Sequence, residues 1–97
     1  MIAKIGIYED CTKAEPTKVY ICHRLLYGVS KKALALAEEA ENKTHAEQEG
    51  LMAEMLQAIF PEFKAEELDF IDPVELGALV KALQSSSAAE GARVEKN

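Results

Sequence analysis

The sequence predicts an α+β fold, mostly α: an N-terminal β-hairpin packed on an antiparallel helical hairpin, then a short turn and a C-terminal helix. Three observations predict it. Residues 2–8, "IAKIGIY", and the later run "VYICHRLL" are rich in β-branched and aromatic residues, which suit a pleated, half-buried surface. Between Val29 and Phe60 apolar residues recur at three- and four-residue intervals, the period of a helix. Pro61 and Pro73 then punctuate the chain where one helix has to stop and another can start.

The elements follow in order. Strand 2–8 runs into "EDCTKAEPTK", a polar stretch with Pro16 that reads as a loop. "VYICHRLL" returns as the second strand. A lone two-stranded hairpin is marginal in water, so it has to pack on the helices or add to another chain. In "GVSKKALALAEEAEN", Val29, Ala33, Leu36, Ala37 and Ala40 share one face, and the charges fall mostly on the other. "ENK" connects to the next helix. Thr44 and Glu47 stand three apart, the spacing of a capping box. Leu51, Met52, Met55, Leu56, Ile59 and Phe60 then form a wide apolar stripe, interrupted by nothing but the weak helix former Gly50 before it. Pro61 disfavours helical geometry at Phe60 and ends the helix there. "AEELDF" makes a short helical turn. Asp72 caps the last helix, Pro73 takes its first position, and Glu75 sits three after the cap. Leu76, Leu79, Val80 and Leu83 supply its apolar face, and it fades near Gln84. This reading gives one globular domain over residues 1–84 and a disordered tail, "SSSAAEGARVEKN", over 85–97.

Composition narrows the function classes. The chain has 97 residues, enough for one small domain with modest stability. Its net charge of −6 argues against nucleic acid as a partner, because phosphate neutralisation needs a basic footprint. The charge is uneven. Residues 1–34 carry six bases against three acids, and residues 35–97 carry five bases against fourteen acids. No apolar run approaches the roughly 20 residues that span a bilayer, so no membrane partner is expected. The start of the chain lacks the pattern of a signal peptide, which predicts a cytoplasmic protein with Cys11 and Cys22 as reduced thiols.

The parts for chemistry are few. His23 and His45, the two histidines, sit in different elements with no nucleophile at motif spacing. A metal site would have to combine Cys11, Cys22, His23 and His45, but paired C-x-x-C or H-x-x-x-H spacing is missing. No Gly-rich phosphate loop and no EF-hand spacing is present. The adjacent acids at 38–39 and 66–67 read as solvated helix faces rather than acid–base pairs. The sequence therefore predicts no catalytic residues, no cofactor, no metal and no enzyme activity. What remains is a surface for binding. Met52 and Met55 lie on an adaptable apolar face. Phe60, Phe63 and Phe70 flank the break at Pro61, as a wedge between helices with some left over as partner anchors. These five are the candidate partner-binding residues.

Two stretches carry a resemblance to a known family. One is "KVYICHRLLYGVSKKALALAEEAE", a strand followed by an Arg- and Leu-containing entry to an Ala/Leu/Glu helix. The other is "LMAEMLQAIFPEFKAEELDFIDPVELGALVKAL", with its "IFP-x-F" turn, "EEL" turn and "D-P-x-E-L" helix start. Over roughly residues 18–83 the chain resembles the small tail assembly chaperones of long-tailed bacteriophages and prophages of Gram-positive hosts. Lys64 departs from the family pattern, which often has Thr or Ser capping the "EEL" turn. The resemblance implies a non-catalytic protein of the bacterial host cytoplasm. It would bind the helix-rich tape measure protein, keep it soluble until tail tube protein replaces it, and self-associate. It also implies a longer frameshifted product, for which the tail over 85–97 would suit the junction. The rival readings are a small acidic helical adaptor that docks a partner helix, and a metal-dependent protein using Cys22, His23 and His45.

Overall fold

The computed structural model describes residues 3–96, with side chains described through residue 85. Two strands, β1 (Ala3–Ile7) and β2 (Lys18–Cys22), pair antiparallel with Ala3 opposite Cys22 and Ile7 opposite Lys18. Three helices follow: α1 (Tyr27–Ala40), α2 (His45–Ile59) and α3 (Pro73–Lys96). A 3₁₀ turn, Ala65–Phe70, stands between α2 and α3. This is the α+β, mostly helical architecture that the periodicities predict, with α1 and α2 forming the helical hairpin. Among the described residues, no helix is long and apolar enough to cross a membrane.

The alternation of β1 explains how the hairpin is buried. Ala3, Ile5 and Ile7 point to the helices and are buried, while Lys4, on the other face, is exposed. They meet Ala33 and Ala37 of α1, Met55, Leu56 and Ile59 of α2, and Leu79 and Leu83 of α3 in one core. Fully burying one such large side chain stabilises the fold by about 1.5–3 kcal/mol. α1 contributes alanines to this core, so its backbone can come close to α2 and α3. Phe60 and Phe63 close the core beside the α2 terminus, at 3% exposure each.

The helix ends obey the local chemistry of the sequence. The Thr44 hydroxyl accepts from the Glu47 N–H at 3.5 Å and donates to the Glu47 carboxylate at 2.9 Å. The two side chains pair, although the carboxylate takes the hydroxyl rather than the Thr44 N–H of a full capping box. α2 stops where Pro61 requires, with Phe60 extended at φ −121° and ψ 91°. Asp72 caps α3 by accepting the Val74 N–H at 2.8 Å. Lys64 offers no side-chain cap to the 3₁₀ turn, but Glu67 reaches back and accepts the Lys64 N–H at 3.0 Å. Half of the reciprocal box thus survives the departure at Lys64.

Two expectations need correction. Strand β2 ends at Cys22 rather than running on to Leu26, and its last rung among the described residues lies opposite Ala3. α3 does not fade near Gln84: its helical backbone continues through Lys96, over the stretch expected to be a disordered tail. Residues 85–96 hold no proline and several alanines, so the one glycine, Gly91, is too weak a break to end the helix. Asn97 lies outside the described residues.

β2 is tied to the 3₁₀ turn by a polar bridge. The Tyr20 ring packs edge-on to Phe63 at 5.8 Å and tilted against Phe60 at 6.2 Å. Its hydroxyl donates to the Glu67 carboxylate at 2.6 Å, and the Lys18 ammonium donates to the other Glu67 oxygen at 3.1 Å. Burial pushes the Glu67 carboxyl upward, but the hydrogen bonds from Tyr20, Lys64 and Lys18 outweigh it and hold the group below its ordinary value of 4.5. The hydrogen bond to Glu67, with burial, raises the Tyr20 hydroxyl above 10.0. The lowered carboxyl contributes stability above pH 4.5 that is lost as pH falls through its folded value, and the raised phenol contributes stability below pH 10.0 that is lost as pH rises through its own. Urea midpoints of the wild type should therefore be flat between these limits and fall on both sides. Glu67→Gln should lower the midpoint at neutral pH and flatten the fall on the acid side; an unchanged acid limb would show that Glu67 is not the group responsible.

Candidate functional site

β1 has two edges, and only one faces β2. The Tyr8 N–H on the other side donates to the Phe70 carbonyl at 2.8 Å, and Ile7 bridges Ile71 in antiparallel fashion. In the first turn of α3, the Glu75 carboxylate accepts the Gly6 N–H at 3.3 Å with one oxygen and the Tyr8 hydroxyl with the other. The hydrogen bond to Glu75, then burial and the Glu75 charge, raise the Tyr8 phenol above its ordinary 10.0. The segment Phe70–Glu75 thus closes the second edge of β1. The open edge of the sheet belongs to β2, where Val19 and Ile21 are exposed on the outer face.

This closure shapes a groove of about 610 Å³ between the Tyr8–Ala14 loop and the Asp69–Pro73 turn. Phe70, Ile71, Pro73 and Ala14 supply apolar lining, and Glu9, Asp10, Asp69 and Asp72 supply carboxylates, with Lys13 and Cys11 between them. The loop wall is held by Asp10, whose carboxylate accepts the Thr12 N–H at 2.8 Å and also the Thr12 hydroxyl. Those two bonds hold the Asp10 carboxyl below its usual range. The turn wall is held by the Asp72 cap and the bond from Tyr8. Phe70 is 49% exposed and is the one large aromatic in the groove lining besides Tyr8.

The five residues expected to meet a partner divide sharply. Met55, Phe60 and Phe63 are buried, at 0%, 3% and 3% exposure, and belong to the core. The expectation that they serve as anchors is corrected: the stripe that looked too wide to cover lies in one core with Ala33 and Ala37 of α1, Ile5 of β1 and Leu79 and Leu83 of α3. Met52 is half-buried and packs against the core edge. Phe70 alone of the five stands open, so only Phe60 and Phe63 form the wedge expected of all three phenylalanines. Among the described residues, no three His, Cys, Asp or Glu side chains come together as a metal site, so Cys22, His23 and His45 form no such cluster.

Sequence reasoning missed half of the groove. The "EDCTK" stretch read as a loop, yet its Asp-x-Thr spacing is a signal for a side-chain-bonded turn. It also took Glu75 for part of a helix-start signature, whereas the carboxylate leaves the helix and clamps β1. Compared with known protein families, characterised proteins and solved structures, the chain matches none of them.

The clamp explains a demand for glycine. A Cβ at Gly6 would lie 3.0 Å from the Pro16 Cβ, 3.3 Å from the Tyr8 ring and 3.4 Å from the Glu75 carboxylate. Proline cannot swing away as a flexible side chain can. Gly6→Ala should destabilise the fold by about 1–3 kcal/mol through overpacking, measured by urea denaturation. A neutral result would mean that the loop yields freely and that the clamp is loose.

Proposed function

We propose that this chain is a tail assembly chaperone of the long-tailed phage type. It binds the tape measure protein in the bacterial cytoplasm, keeps that long helical partner soluble, self-associates, and gives way to tail tube protein. The observation that carries the reading is the solvent-facing Phe70 in a groove of mixed apolar and acidic lining, on the same stretch whose "IFPEF" and "DPVEL" segments carry the family resemblance. A large aromatic left open on a well-packed small domain supports a binding role, since such residues dominate interface energetics. The Phe70 carbonyl accepts the Tyr8 N–H at 2.8 Å, which ties its backbone to β1. A rigid anchor loses little conformational freedom on binding.

Coexpression with the tape measure protein of the same genome tests the proposal. The chaperone reading predicts a soluble complex that copurifies, and a tape measure that turns insoluble when this chain is left out. Phe70→Ala should weaken the complex by roughly thirty-fold, the effect of losing an interface anchor. A tape measure that stays insoluble with the chain present, or that is equally soluble without it, would overturn the reading.

A further inference from the structure

We propose that the groove selects its partner segment by charge as well as by shape: it takes an apolar anchor flanked by Lys or Arg. This rests on the chaperone reading and states which part of the partner the site would hold. Four carboxylates line the groove against one ammonium, that of Lys13. Two of the four, Glu9 and Asp69, are exposed and make no hydrogen bond or ion pair among the described residues. They stand on opposite walls, Glu9 on the loop and Asp69 on the turn beside the open Phe70.

The carboxylates do not gather into a cation site, since no three of them come together as metal ligands. Their field therefore acts on a larger charged object at the rim. A segment that lays an apolar side chain on Phe70 brings its neighbouring residues against Glu9 and Asp69. Lys or Arg there would gain charge-assisted contacts, and acidic neighbours would be repelled. The groove volume, about 610 Å³, suits one or two large apolar side chains rather than a whole folded face.

The test measures binding of the full chain to the tape measure protein from the same genome, at low and high salt. Raising the salt about tenfold shortens the screening length and should weaken the complex by roughly ten-fold. Glu9→Lys with Asp69→Lys should weaken it by a similar factor at low salt and remove most of the salt dependence. Both positions are exposed, so the variant should keep the wild-type circular dichroism and melting curve. Phe70→Ala should weaken the complex by the same factor at either salt concentration. A complex that forms but ignores both salt and the charge reversal would overturn the charge selection and leave the chaperone reading standing. If no complex forms at all, both fall. If the charge reversal alters only self-association of the chain and not tape measure binding, the occupant is a second copy and the proposal is overturned.

Discussion

The structure depends on how the second edge of β1 is closed. A two-stranded sheet is marginal alone, and a strand edge left open invites pairing with other chains. Here the edge is met by the Phe70 carbonyl, the Ile71 bridge and the Glu75 carboxylate, all within six residues of one another. That short segment also joins the 3₁₀ turn to α3. The start of the last helix is therefore fixed to the sheet by the same bonds that finish the sheet. The buried face of β1 then completes the core with Leu79 and Leu83.

One consequence is the placement of Phe70. Its carbonyl is used in the closure, so its backbone is held while its side chain is left open. Phe60 and Phe63 go inward because they stand at the end of α2, against Tyr20. The three phenylalanines look alike in the sequence and end in two different environments, and the difference is set by backbone pairing rather than by hydrophobicity. Tyr20, Glu67 and Lys18 complete the arrangement by fastening β2 to the 3₁₀ turn. Both strands are thus tied to the linker between α2 and α3, one through its far edge and one through a side chain.

Much of the fold was legible in the residues because it rests on local rules. The periods of α1 and α2, the stop at Pro61 and the Asp72–Pro73 start each follow from interactions within a few positions. The hairpin was legible from "IAKIGIY" and "VYIC" for the same reason. What the sequence hid was long-range. Glu75 lies 69 residues from Gly6, and nothing in its spacing says that it leaves its own helix to clamp a strand. Likewise, the apolar stripe at Met55, Leu56 and Ile59 appeared too wide to cover, because the core it joins also draws on β1 and α3, which are distant in sequence. The helical extension past Gln84 was missed for a third reason: serine and alanine carry no apolar period, yet alanine favours a helix and serine opposes it only weakly. The candidate site was half legible. Phe70 was one of five candidate anchors that the sequence did not tell apart, and the loop wall opposite it could not be placed without the closure of β1.

The clamped turn at Phe70 and the loop at Glu9–Ala14 form the surface proposed to meet a tape measure partner. Amide hydrogen exchange of the chain, alone and in complex with the tape measure protein, tests it most directly. The account predicts new protection over residues 8–14 and 69–74 in the complex, with the core of α2 protected equally in both states. Protection confined to other surfaces, with the turn and the loop exchanging as in the free chain, would contradict it.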